Sequence, residues 1–188
     1  MFALKVKPRY TLSIVVPLVI LALTACKSRD DTKPVNRTRT SLTETQNNTL
    51  PQWVVRQQTP AKVAIVFVHG LFGDTVGTWT HANGTRFFDL VAQNPAIAGK
   101  VDVLAFGYPS NMFASGSFDI LAAAKALHAR LEHHGILGYS KVVFVGHSMG
   151  GLVIMRELLM NRAVMPAVPV IVLMATPQCG TTSFNAAH

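Results

Sequence analysis

Cysteine and charge are both scarce in this chain of 188 residues. Two cysteines are too few for a disulfide-stabilised scaffold or a multi-cysteine zinc module. Charged residues make up 14% of the sequence and apolar residues 49%, which excludes a wholly disordered chain and is typical of a protein with a buried core. No internal repeat is present. The length therefore indicates one domain, with or without a tail.

The net charge of +8 is distributed unevenly along the chain. Residues 1–60 carry +6 and residues 61–188 carry only +2, so the basic excess lies outside the part that is expected to fold. A basic groove for phosphate backbones is not indicated, and we expect no nucleic-acid partner. The sequence indicates no metal and no organic cofactor.

The first 25 residues have the layout of a secretory signal peptide. Basic residues precede an uncharged, mostly apolar run over residues 10–25, which is shorter than the roughly 20 residues that span a bilayer comfortably. The run closes with Leu23-Thr24-Ala25-Cys26, which resembles the lipoprotein box of bacteria. That resemblance implies cleavage before Cys26, lipidation of this cysteine and attachment to the bacterial cell envelope. Lys27 favours the outer membrane in a Gram-negative host, and an uncleaved signal anchor with an incidental cysteine is the alternative.

The segment that follows is polar. Residues 27–50 contain few large apolar side chains and many Thr, Asn and charged residues, so they bury too little surface to offset the entropy of ordering. A short strand over residues 52–57 is expected to enter the domain. We predict a signal peptide over residues 1–25, a lipidated N-terminus and flexible tether over 26–60, and a folded domain over 61–188.

Apolar runs and helical patterns alternate from residue 61 onward. The predicted strands span residues 62–68, 101–106, 141–145 and 168–174, and the predicted helices span 85–93, 118–133 and 149–161. Strands without polar alternation, separated by helices, are typical of a parallel sheet that is covered on both faces. The sequence therefore predicts an α/β fold with a doubly wound, mostly parallel sheet.

A G-x-S-x-G motif lies at the end of the third of these strands. It runs from Gly146 through His147 and Ser148 to Gly150, and a predicted helix follows directly, which is the setting of a nucleophile elbow. Glycine at 146 and 150 accommodates the tight turn, and Gly151 lets the helix approach the sheet. Ser148 is then the candidate nucleophile, at a helix start where amides face developing negative charge. The alternative is a glycine-rich turn whose serine caps a helix.

A second motif, His69-Gly70-Leu71-Phe72-Gly73-Asp74, follows the first strand of the domain. A serine that cleaves an ester forms a tetrahedral oxyanion, which requires preorganised N–H donors. With an elbow of this kind, one donor is the backbone N–H of the residue after the nucleophile, here Met149, and the second comes from the loop after the first strand, here Leu71. His69 and Gly70 are expected to support that loop.

Together the segments VHGLFGD, VGHSMGGLV and VIVLMATPQCG resemble the α/β-hydrolase superfamily. They are most similar to its lipase-like serine esterase branch, which includes the GPI-inositol-deacylase-like proteins. The resemblance covers residues 61–180. It implies ester or amide hydrolysis through an acyl-serine intermediate at Ser148, with Met149 and Leu71 forming the oxyanion hole, and we expect a small-molecule or lipid ester as the substrate.

The family's catalytic acid and histidine have no match in this chain. The only acid after Ser148 is Glu157, more than one helical turn away, and the only later histidine is His188. His81 is a minor candidate for the base. Loss of the base costs on the order of 10⁶ in turnover, so we expect the chain as written to be nearly inactive. The alternative function is a non-catalytic lipoprotein that keeps the hydrolase scaffold as a binding surface.

We expect the chain to be the front part of a longer hydrolase, truncated after the strand over residues 168–174. Without a further strand, this apolar run would form an exposed sheet edge, which natural proteins avoid. A complete small variant that recruits His188 is the alternative. A nucleotide-binding domain is excluded because the glycine-rich turn lacks a phosphate-contacting lysine and the G-x-G-x-x-G spacing.

Three further expectations concern residues around the motifs. His128, His133 and His134 are expected to be solvated. Cys179 is expected to be a small packing residue near the site, and residues 108–113 to border the pocket.

Overall fold

The computed structural model describes residues 19–23, 50–57, 61–108 and 119–179, the first of these segments by its backbone alone. The predicted lipidation site Cys26, most of the leader and tether, residues 109–113 and His188 lie outside the described residues.

The described residues form a six-stranded, mostly parallel sheet. The strands are β1 (Val19–Leu23), β2 (Gln52–Val55), β3 (Val63–Val68), β4 (Val101–Phe106), β5 (Lys141–His147) and β6 (Val170–Met174), in the spatial order β1-β6-β5-β3-β4-β2. Every neighbouring pair is parallel except β2 and β4, which are antiparallel. The helices are α1 (Phe87–Gln93), α2 (Ile120–His133) and α3 (Met149–Met160). The α/β fold predicted from the sequence is confirmed.

Both faces of the sheet are covered, which explains the continuous apolar strands. In β3, Ala64, Val66 and Val68 face a core that includes α2 and α3. Ile65 and Phe67 face the opposite core, which includes Phe88 of α1 and Trp79. Successive side chains point to opposite faces of a strand, and both faces of this sheet are covered. Both sets of positions along β3 must therefore be apolar. Each fully buried large apolar side chain contributes about 1.5–3 kcal/mol relative to its exposed state.

The outer edge of β6 differs from the sequence prediction. Residues 19–23, which belong to the predicted leader, form β1 and pair with β6 in register from Val19 opposite Val170 to Leu23 opposite Met174. The pairing satisfies backbone groups that an edge strand otherwise leaves open. No helix in the described part of the chain combines the length and apolar character that crossing a membrane requires. The signal peptide and its cleavage remain predictions.

The register of the two central strands positions the two glycine-containing motifs of the sequence next to each other. Val68 at the end of β3 lies opposite Gly146 near the end of β5. The residues that follow each strand therefore meet at the same edge of the sheet, the edge at which open α/β folds bind their ligands.

Candidate active site

Ser148 occupies a strained turn between β5 and α3. Its backbone has φ 51° and ψ −126°, in a region that residues with a side chain rarely adopt and that costs on the order of 1–3 kcal/mol. The Ser148 N–H donates to the carbonyl of Met174 at 2.8 Å, which ties the turn to the end of β6. The residue is half-buried. This is the strand–turn–helix geometry of a nucleophile elbow.

Gly70 brings the loop after β3 against this elbow. A Cβ at Gly70 would lie 2.7 Å from the Cβ of Ser148 and 2.8 Å from the carbonyl oxygen of His147. Real Cβ atoms do not approach other atoms so closely, so only glycine permits this contact. The two motifs, 78 positions apart in the sequence, are thus in van der Waals contact.

The remaining glycines of the elbow lie equally close to their surroundings. A Cβ at Gly150 would overlap the carbonyl groups of Val68 and His69, and a Cβ at Gly151 would overlap the side chain of Thr176. A Cβ at Gly146 would lie 2.7 Å from the Cα of Gly151. The first turn of α3 therefore packs directly on the end of β3 and on the loop after β6.

Two backbone amides are available on the two loops that meet at Ser148. Met149 is the first residue of α3, so its N–H has no acceptor within the helix. The Gly73 N–H donates to the Gly70 carbonyl at 3.2 Å and closes a turn with Leu71 at its second position. Within residues 50–57, 61–108 and 119–179, neither the Met149 nor the Leu71 amide donates to a protein acceptor. An oxyanion can use donors of this type.

His69 supports the loop after β3 from inside the core. Its ring is fully buried and stacks on Tyr108, with 4.3 Å between ring centroids and 7° between planes. Nδ1 lies 2.9 Å from the carbonyl of Gly70, and Nε2 accepts from the Tyr108 N–H at 3.4 Å. The Tyr108 hydroxyl in turn donates to the His69 carbonyl at 2.9 Å. Burial lowers the pKa of His69, so the ring is neutral at pH 7, with its proton on Nδ1.

The sequence predictions missed the part that Tyr108 plays. It was expected to border the pocket, but it is almost fully buried beneath the loop after β3. Its position two residues after β4, near the end of β3, is the signal that could have indicated this contact, because adjacent parallel strands end at the same edge.

Two buried polar atoms next to the elbow lack a hydrogen-bond partner among the described residues. They are Nε1 of Trp79 and Oγ1 of Thr176. Thr176 packs on Gly151, and the ring of Trp79 lies edge-on to His147 with 6.2 Å between centroids. Burial lowers the pKa of His147, which favours a neutral ring beside the candidate nucleophile. The sequence patterns indicate no contact for Trp79.

The Glu157 carboxylate, which follows Ser148 in the chain, makes its hydrogen bonds away from the elbow. Glu157 is fully buried on α3, where it lies 2.7 Å from Nδ1 of His128 and accepts from Nδ2 of Asn161 at 2.8 Å. The expectation that His128 is solvated is therefore wrong, because a buried carboxylate on the facing helix requires a partner. His81 is exposed and its Nδ1 accepts from the backbone of Asn83 at 3.3 Å.

Two other expectations about side chains need correction. Cys179 is exposed, because it lies in a turn beyond the end of β6. His134 is half-buried and packs edge-on against Trp53, with 5.8 Å between ring centroids. Among the residues that the structure describes, no group of three or more His, Cys, Asp or Glu side chains is placed to hold a metal ion.

Three solved structures are similar to this chain. The lipase BlEst2 of Bacillus licheniformis is 25% identical, with a TM-score of 0.51, over 72% of this chain and 50% of the lipase. The type II thioesterase BorB from the borrelidin biosynthetic cluster is 18% identical, with a TM-score of 0.47, over 69% of this chain and 47% of that protein. A predicted CIB-like hydrolase from Thermoplasma acidophilum is 20% identical, with a TM-score of 0.42, over 67% and 56% of the two chains.

The chain thus spans about half the length of the first two solved structures and 56% of the third. A comparison with curated proteins gave no significant match. Residues 65–187 match the family described as the alpha/beta hydrolase family. With the strand order and the turn at Ser148, this match shows that the chain belongs to the alpha/beta hydrolase family.

Proposed function

We propose that this protein is a serine hydrolase that cleaves carboxylic esters through an acyl-serine intermediate at Ser148. The observation that carries the proposal is the contact between the strained turn at Ser148 and the loop at Gly70. This contact places the Met149 amide beside the loop that holds Leu71, because a Cβ at Gly70 would lie 3.2 Å from the Met149 nitrogen.

The proposed reaction has two halves. Oγ of Ser148 attacks the ester carbonyl carbon while a general base takes its proton, and the amides of Met149 and Leu71 bind the oxyanion. The C–O bond to the alcohol breaks, and the base returns the proton to the departing alcohol. Water then attacks the acyl-serine, releases the acid and regenerates the hydroxyl. The neutral, fully hydrogen-bonded His69 positions the loop and takes no part in proton transfer.

The base and its acid partner are proposed to come from outside the described residues. The experiment therefore uses two forms of the protein: the 188-residue chain, and a form that includes any coding sequence downstream of codon 188. Each is treated with a fluorophosphonate probe and with short acyl esters. We expect Ser148 labelling and ester hydrolysis in the longer form and near-background rates in the shorter. Ser148→Ala abolishes both activities. A longer form that neither labels nor hydrolyses contradicts the proposal.

A non-catalytic lipoprotein that uses the hydrolase scaffold for binding is the second candidate. One observation favours it: the single carboxylate between Ser148 and residue 179 is buried between two helices, where His128 and Asn161 occupy it. The coding sequence beyond codon 188 distinguishes the candidates. An open frame with Asp and His in loops at strand ends favours the enzyme, and a stop codon favours the binding protein.

The substrate and the cellular location are further parts of the proposal. We propose a small-molecule or lipid ester as substrate, as in the lipase-like and GPI-inositol-deacylase-like branch that the motifs resemble. We also propose attachment to the bacterial envelope through a lipidated Cys26. The similarity to a lipase over about half of its length supports an ester substrate without selecting its acyl group.

A further inference from the structure

A concave site lies at the edge of the sheet opposite Ser148. It is a cleft of about 380 Å³, formed where β2 ends and where β3 and β5 begin. Its volume falls within the range of about 300–1,000 Å³ that small-molecule sites occupy. The residues that line it are Arg56, Ala61, Lys62, His134, Gly135, Gly138, Tyr139 and Ser140.

The ring of Trp53 contacts the side chains of Arg56 and His134, which both line this cleft. The guanidinium of Arg56 lies 4.9 Å above the ring centroid of the half-buried Trp53. His134 packs edge-on against the same ring, with 5.8 Å between centroids. Stacking on an aromatic face orients a guanidinium that would otherwise sample many rotamers. The wall of the cleft is therefore partly preorganised.

Within the described residues, the two cations of the cleft lack a direct acidic partner. Within the described segments, neither Arg56 nor Lys62 takes part in an ion pair, and no acidic side chain lines the cleft. The buried carboxylate of Asp102 lies behind this wall, where it accepts from the Gln57 N–H at 2.6 Å and the Tyr139 hydroxyl at 2.5 Å. Burial, and to a smaller extent the nearby His133, Arg130 and Arg56, lowers the pKa of His134.

We propose that this cleft binds the phosphate group of an organic phosphate, either free in solution or as the headgroup of an anionic phospholipid. The planar guanidinium of Arg56 can contact two phosphate oxygens, and Lys62 supplies a second full positive charge. The ring N–H of His134 and the hydroxyl of Ser140 are neutral donors for the remaining oxygen positions. Two cations in a cleft of this size form a local anion site. They do not form an extended basic surface for a nucleic acid, which is consistent with the small net charge of the domain.

The test measures binding to the 188-residue chain and needs no hydrolytic activity. Glycerol 3-phosphate is titrated by calorimetry, and vesicles of phosphatidylglycerol or phosphatidylcholine are used in co-sedimentation. The cleft variant is Arg56→Gln with Lys62→Gln. The matched control, Lys125→Gln with Arg156→Gln, removes the same charge from exposed positions on α2 and α3. Thermal unfolding verifies that both variants fold.

We expect the cleft variant to weaken binding at least tenfold and the control to retain it. Saturable binding of glycerol 3-phosphate that only the cleft variant loses identifies a free phosphate ligand. Preferential binding to phosphatidylglycerol that only the cleft variant loses, without glycerol 3-phosphate binding, identifies a headgroup. Absence of both interactions in the unmodified chain overturns the proposal, and so do equal losses in the two variants. Neither result bears on hydrolysis at Ser148.

Discussion

Single backbone positions determine the geometry around Ser148. Ser148 adopts a positive φ, and so do Phe72 in the loop after β3 and Ala175 in the loop after β6. All three loops meet at the same end of the sheet, so the strain is concentrated where chemistry is proposed. Gly70 is the position at which two of these loops touch.

Gly70→Ala tests that contact. The new Cβ would lie 2.7 Å from the Cβ of Ser148 and 2.8 Å from the His147 carbonyl, so the loop must move away and its amide with it. Loss of one oxyanion donor lowers turnover by about 10²–10³. We expect a decrease of this order in the rate of fluorophosphonate labelling in the active form. Gly138→Ala is the control because a Cβ there meets nothing within 4 Å. Equal rates in the two variants would show that the contact is dispensable.

At the scale of secondary structure elements, the packing of α2 against α3 includes a polar contact within an apolar interface. Glu157 is fully buried, although charged side chains are rarely buried without a partner. His128 supplies that partner from α2, and Asn161 supplies a second hydrogen bond from the end of α3. The pair fixes how the two helices face each other, and α3 carries the elbow at its N-terminus.

Removal of His128 should therefore destabilise the domain. His128→Ala leaves the Glu157 carboxylate buried with one remaining donor, and an unsatisfied buried acceptor costs about 1–3 kcal/mol. The free energy of unfolding, measured in urea, should decrease by this amount. His133→Ala, at an exposed position on the same helix, should change it by less than about 0.5 kcal/mol. Replacing both members of the pair with leucine should recover much of the loss. A His128→Ala variant as stable as His133→Ala would refute this account.

On the scale of the whole molecule, residues 19–23 have two possible roles that exclude each other in the mature protein. The structure pairs them with β6 as the outer strand of the sheet. The sequence assigns them to a leader that signal cleavage before Cys26 would remove. In a processed protein, the backbone groups of β6 would then need another partner.

Cys26→Ser distinguishes these roles. Lipidation contributes about 0.8 kcal/mol per buried CH₂ group, so two or more acyl chains anchor a protein stably. We expect Cys26→Ser to abolish incorporation of an alkynyl fatty acid and to shift the protein out of the membrane fraction. Cys179→Ser is the control, since Cys179 is the other cysteine and is exposed. Labelling and fractionation that Cys26→Ser leaves unchanged would contradict the lipoprotein prediction.

Most elements could be predicted because their signals are local. The strand over residues 101–106 was predicted with the bounds that the structure has, and α3 begins at Met149 as expected. The partners of polar side chains could not be predicted in this way. His128 and Glu157 are 29 positions apart, and nothing in either local pattern specifies that their helices face each other.

The sequence by itself determined the α/β class, the order of strands and helices from residue 61 onward, and the turn at Ser148, because periodicity and glycine spacing act within a few residues. Only the tertiary structure decided that Gly70 touches Ser148, that Tyr108 holds His69 and that Arg56 and Lys62 share a cleft. These contacts follow from strand order and register, which join residues distant in the chain and leave no local pattern.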